Sequence, residues 1–130
     1  MSDDRASVEA FYGTFTDAWK SNDAGQVAGH FAEDGTLINP FGQRADGREA
    51  VEAMYAEYFG TILRGSETSV RLDSVRSVEA DHVFVDGDQS VVGSDGAALF
   101  ELHISALIRR DGDSWRFVDV RPFTVLPPPG

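Results

Sequence analysis

The spacing of apolar residues changes once along this chain, near residue 65, and that change fixes the class of fold. Before it, Val8, Phe11, Tyr12, Phe15, Ala18 and Trp19 recur at intervals of three and four, as do Val51, Met54, Tyr55, Tyr58, Phe59 and Ile62. Such spacing lays side chains along one face of a helix. After it, alternation takes over. Leu102, Ile104, Ala106 and Ile108 share one face of a strand, with Leu99, Glu101, His103, Ser105 and Leu107 on the other. Helices followed by a run of strands describe an α+β layer architecture.

Helices are expected over residues 7–20, 24–31 and 47–63. Asp23 is placed to cap the second, and Asp46 with Glu49 matches a capping box for the third. Gly65 is a left-handed stop. Between the second and third helices come an acidic turn (Glu33-Asp34-Gly35), a short strand over 36–39 halted by Pro40, and a loop or return strand over 41–45. Long strands are expected over 68–78, 83–92, 97–109 and 115–125. Gly87 marks a bulge, and Asp111-Gly112-Asp113 makes a hairpin turn. Three N-terminal helices on a strongly curved, mainly antiparallel sheet, wrapped round the third helix, form a cone with a pocket at its mouth. Residues 1–130 are read as one domain.

The chain carries a net charge of −11, which repels nucleic acid and anionic membranes, and it has no phosphate-binding glycine loop. It has no cysteine, which excludes disulfides, thiolate nucleophiles and zinc–thiolate sites and fits a cytoplasmic location. No apolar run approaches the ~20 residues of a membrane span. The polar start, Met1-Ser2-Asp3-Asp4-Arg5, does not read as a signal peptide. His30, His82 and His103 lack histidine partners at metal-binding spacing, so neither a metal nor a cofactor is expected. His30 and His82 read as surface residues.

Ala18-Trp19, Asn22-Asp23-Ala24, Phe31-Ala32-Glu33-Asp34-Gly35, Asn39-Pro40, Gly47-Arg48, Arg110-Asp111-Gly112 and Trp115-Arg116 follow one another in this order. The pattern resembles the SnoaL-like group of the nuclear-transport-factor-2-like superfamily, and its SgcJ/EcaC branch in particular. That superfamily holds ketosteroid isomerase, scytalone dehydratase, limonene epoxide hydrolase, polyketide cyclases, and proteins that only bind or dimerise. The resemblance thus implies a fold and a pocket rather than a reaction. Against the isomerase pattern, the first-helix tyrosine position falls on Phe15 and the general base on Asn39. The late-strand acid falls near Ser105 or Ala106. A neutral amide takes up no proton near pH 7, so isomerase-type proton transfer is not expected. Tyr55 matches a pocket tyrosine of the isomerases. Against the epoxide hydrolase pattern, the chain offers Arg71 with Asp73, Glu101 with His103, and Asp119 with Arg121, each pair on one strand face.

Phe15, Trp19, Asn39, Phe41, Met54, Tyr55, Tyr58 and Phe59 are the expected binding residues, suited to a small hydrophobic organic molecule. Asn39, held extended before Pro40, is either a ligand hydrogen-bond donor or a turn former. His103, Glu101 and Asp119 are the acid/base candidates; the alternative is that their stripe is the outer sheet face and a dimer interface. The expected function is binding of a hydrophobic molecule, with cyclisation, isomerisation, dehydration or hydrolysis in secondary metabolism open beside a purely binding or dimerising role. A homodimer is expected because Phe117, Val118, Val120 and Phe123 put apolar groups on both faces of the last strand.

Overall fold

The computed structural model describes residues 4–130; the first three residues of the polar start lie outside it. The elements are α1 (Asp4–Lys20), α2 (Ala24–Ala28), β1 (Phe31–Ile38), β2 (Arg44–Asp46), α3 (Arg48–Phe59), β3 (Glu67–Glu79), β4 (His82–Val92), β5 (Ala98–Asp111) and β6 (Ser114–Phe123). The strands form one sheet in the order β2-β1-β6-β5-β4-β3. From β3 to β6 it is an antiparallel meander; β1 then joins β6 in parallel and β2 pairs antiparallel with β1. The α+β cone expected from the sequence is therefore present. The helix lying across the meander is α1, packed on β3 and β6, while α3 closes the β1–β2 end and touches α2. No helix among the described residues is long and apolar enough to cross a membrane.

The α1 stripe is buried as its spacing requires: Val8, Phe11, Tyr12, Phe15, Ala18 and Trp19 all face the core. In β4, burial alternates without a break, with Val83, Val85, Gly87, Gln89 and Val91 turned inward. Ile104, Ala106 and Ile108 continue that layer in β5.

Local chemistry moves several boundaries. Helix α2 ends at Ala28, and Phe31 opens a strand, where its fully buried ring packs 5.1 Å from that of Phe117. Glu33 and Asp34 lie inside β1, not in a turn. The pairing of β1 with β6 is irregular between Phe31 and Thr36, and a Cβ on Gly35 would stand 2.8 Å from the Phe117 carbonyl oxygen. The capping box of α3 does not form. Gly47 is the N-cap at φ 94°, and the Asp46 carboxylate instead accepts from Thr36 and Arg44. The bulge expected at Gly87 lies in the facing strand. Leu72 pairs with Gly87 and Ser74 with Asp86, leaving Asp73 extra. Gly87 is what permits it, since a Cβ there would meet the Arg71 carbonyl oxygen at 2.3 Å.

A second irregularity sets the phase of β6. Ile108 pairs with Phe117 and Leu107 with Asp119, so Val118 is extra. Phe117 and Val120, three residues apart, are both buried. A one-residue insertion exchanges the faces beyond it. Asp119, Arg121 and Phe123 thereby fall on the outer face.

Candidate functional site

Between α1, α3 and the concave face of the sheet lies a cavity of about 80 Å³. Tyr12, Phe15 and Trp19 come to it from α1, and Met54, Tyr55 and Tyr58 from α3. Asn39, Pro40 and Phe41 approach from the loop after β1, and the sheet contributes Val70, Gln89, Val91, Leu102, Ile104, Phe117, Val120 and Pro122. Seven of the eight expected binding residues line it. The exception is Phe59, which stands behind the wall, its ring 5.6 Å from Trp19 and 5.7 Å from Tyr55. The aromatic set is core and wall at once. Phe15, Trp19 and Tyr55 pack edge to face at 6.0 and 5.5 Å, which narrows the space between them. An engineered cavity that takes up benzene measures ~150 Å³. A ring-sized occupant therefore has to displace the mouth, where Phe41 is 58% and Ile62 47% exposed.

Most polar groups of the wall are already engaged. The Trp19 indole N–H donates to Ser66 Oγ at 2.9 Å, and Gln89 Nε2 donates to Thr68 Oγ1 at 3.0 Å. Asn39 is a turn former. Its Oδ1 accepts from the Phe41 and Gln43 amides, each at 3.0 Å, and its Nδ2 donates to Gln43 Oε1 at 2.8 Å. The Tyr58 hydroxyl also donates to Gln43 Oε1, tying that turn to α3. Tyr12 differs: its hydroxyl is buried without a partner among the described residues. Burial pushes the Tyr12 and Tyr55 hydroxyls far above the usual phenol range, so both stay protonated. No carboxylate, imidazole, lysine or arginine lines the cavity among the described residues.

Glu101, His103 and Asp119 do not reach it. Their strand neighbours Leu102, Ile104 and Val120 point in, and alternation sends these three out. On the outer face Glu101 accepts from Ser90 Oγ at 2.6 Å, and Asp119 accepts two bonds from Arg121 at 2.8 and 3.0 Å. His103 Nδ1 lies 3.3 Å from Asp88 Oδ1, with the Phe123 ring 5.2 Å away. Asp73, Asp88 and His103 bring ligand-type atoms within 4.8 Å of one another, a juxtaposition of three strands that no linear spacing reveals. Arg71 bridges both aspartates. His30 is not a free surface residue. Its half-buried ring packs 5.4 Å from Phe11 and 5.7 Å from Phe15, with Nδ1 2.9 Å from the Gln26 carbonyl oxygen.

Sequence reasoning missed Tyr12 and Gln89 as wall residues. Tyr12 sits within an apolar stripe and reads as core. Gln89 does carry a signal, being the polar member of the inward phase of β4.

A curved six-stranded sheet with helices against its concave face and a cavity between them is a cystatin-like, or nuclear-transport-factor-2-like, cone. Within that class the chain belongs to the SnoaL-like domain family, whose model matches residues 8–125. Comparison with functionally curated proteins gives no match. Among solved structures, a domain of unknown function with a cystatin-like fold from Nostoc punctiforme aligns with a TM-score of 0.85 at 18% identity, over 98% of this chain and 80% of that one. A ketosteroid isomerase-like protein from Erwinia carotovora atroseptica aligns at 0.74 and 19% identity, over 98% of this chain and 100% of that one. The protein Aln2 from a Streptomyces species aligns at 0.78 and 19% identity, over 95% of this chain and 92% of that one. At these identities the likeness is one of fold.

Proposed function

We propose that this chain binds a small, neutral, largely apolar organic molecule in the cavity, and that it acts there as a binder and not as an acid–base catalyst. One observation carries this reading. The wall is aromatic and aliphatic, and no carboxylate, imidazole, lysine or arginine lines it among the described residues. Burying an ion against such a wall is costly, which selects uncharged occupants. General acid/base catalysis needs a group whose pKa lies near the working pH, and the two buried phenols lie far above it. The isomerase, dehydratase, cyclase and epoxide hydrolase readings each require a proton carrier beside the ligand. Asn39 is committed to its turn, and Glu101, His103 and Asp119 stand on the opposite face of the sheet.

The test is saturation-transfer NMR with neutral ring compounds and charged analogues of the same size. Neutral rings are expected to bind, charged ones not, and Glu101→Gln, His103→Ala and Asp119→Asn to leave binding unchanged. Binding abolished by any of those three substitutions would overturn the reading.

A homodimer through the outer face belongs to the same proposal. Phe123 and Leu99 are exposed there, and Val125 from the C-terminal tail adds to them. Pairing with a second copy would remove them from water. Sedimentation as a monomer at micromolar concentration would contradict it.

A further inference from the structure

Strand β5 outruns its neighbour β6. The pairing of the two starts at His103 opposite Phe123, yet β5 itself starts at Ala98. On the β4 side the ladder continues through Leu102, Glu101, Phe100 and Ala98. On the β6 side residues 98–102 have no backbone partner among the described residues. The segment that follows β6, Thr124-Val125-Leu126, is exposed and belongs to no strand. Three prolines come next, and proline has no N–H for a ladder, so Leu126 is the last residue by which β6 can lengthen.

Register and alternation fix where each of these residues stands when β6 lengthens. Counting on from His103 and Phe123, Val125 falls opposite Glu101 and Leu126 opposite Phe100. Val125 already keeps to that register, since it shares an outer-face groove with Glu101 and Ser90. Side chains alternate along a strand. Pro122 lines the cavity and Phe123 packs on His103 at the outer face, so Val125 turns outward and Leu126 turns to the cavity side. There Phe100 lines the cavity, its ring 6.2 Å from that of Phe41 at the mouth. Leu126 itself is 77% exposed.

Resting on the binding function proposed above, we propose that Leu126 is a binding residue of the cavity. With an occupant inside, residues 124–126 add to β6 along the free edge of β5, and Leu126 closes over Phe100 and Phe41. The empty cavity does not draw the segment in. Ordering three residues costs backbone freedom, and one leucine laid on the mouth offsets little of that cost. A ring-sized occupant projects from a cavity of about 80 Å³ into the mouth and gives Leu126 a second apolar surface. Closure and occupancy then favour each other by the same factor, as linked equilibria must.

The experiment titrates methylenecyclohexane, a neutral apolar ring, into isotope-labelled wild type, Leu126→Ser and Val125→Ser, followed by NMR. In the wild type, amide protons within residues 124–126 are expected to exchange about tenfold more slowly with saturating probe than without it. NOEs are expected to join the Leu126 methyl groups to the Phe100 ring in the same sample. Leu126→Ser is expected to weaken probe binding about tenfold, the scale of returning one leucine side chain to water. Val125→Ser, one residue away and facing outward, is expected to leave probe affinity unchanged. Both side chains are exposed in the empty protein, so neither variant is expected to melt below the wild type. Unchanged exchange at residues 124–126 in probe-saturated protein, unchanged affinity in Leu126→Ser, or equal losses in the two variants overturns this inference and leaves the binding function standing. Failure of the wild type to bind methylenecyclohexane overturns both.

Discussion

The indole N–H of Trp19 donates to the hydroxyl of Ser66 at 2.9 Å, and neither residue is more than 5% exposed. This bond fastens the last turn of α1 to the segment entering β3, and so fixes one wall of the cavity. Asn22 reinforces the same joint. At φ 55° it accepts from the Gly65 amide at 2.6 Å and donates to the Trp19 carbonyl at 2.9 Å. Ser66→Ala leaves a buried donor unpaired and is expected to cost about 1–3 kcal/mol. Urea unfolding of the variant measures it, with the midpoint lowered and the slope unchanged.

Burial holds the His30 imidazole below its ordinary pKa of 6.5, against smaller opposing effects from the Gln26 and Val27 backbone. The folded state therefore prefers the neutral ring. Below the unfolded pKa the unfolded chain binds more protons, so stability rises with pH in that range. The contribution is complete above about pH 6.5 and is lost as pH falls below it toward the folded-state pKa. Urea midpoints at about pH 7.5 and 5.5 are expected to differ more for the wild type than for His30→Gln.

Two glycines predict opposite signs. Gly87→Ala puts a Cβ 2.3 Å from the Arg71 carbonyl oxygen, and the bulged β3 backbone has to move. A loss of about 1–3 kcal/mol is expected. Gly13 lies within α1, and a Cβ added there would meet nothing inside 4 Å, so Gly13→Ala is expected to add about 0.5–1 kcal/mol. Thermal melts of the two variants check both signs.

Asn39→Ala removes the acceptor of two amide hydrogen bonds in the loop after β1. It is expected to destabilise the protein by about 1–2 kcal/mol. Affinity for a neutral ring probe is expected to change less than about twofold, because the Asn39 amide serves the turn. Calorimetric melting together with probe titration separates the two effects.

The period change near residue 65 made the α+β architecture legible, and the β5 alternation already divided Leu102 and Ile104 from Glu101 and His103. Phe15, Trp19, Phe41, Met54, Tyr55, Tyr58 and Phe59 were visible as a set of large residues generous for a core of this size, and all but Phe59 line the cavity. What stayed hidden arises from pairing between distant segments. Asp46 faces a stronger offer from Arg44 and Thr36 across β1 and β2 than from the helix it precedes. The extra residues Asp73 and Val118 exist only relative to the strands opposite them. The outer cluster of Asp73, Asp88 and His103 requires three strands in register. Tyr12 could be read as core but not as unpartnered, because an absent hydrogen bond leaves no mark in sequence.

The chain has two tryptophans, and they stand on opposite sides of the central claim. Trp19 lines the cavity; Trp115 does not, its indole donating to Ser7 at 3.0 Å with the Arg110 guanidinium 4.2 Å over its ring. Titration with methylenecyclohexane, followed by the two indole N–H resonances in a ¹⁵N-labelled sample and assigned with Trp115→Phe, tests the claim most directly. The predicted result is a saturable shift of the Trp19 indole with the Trp115 indole unmoved. Two unmoved resonances, or equal movement of both, would contradict a binding cavity at this site.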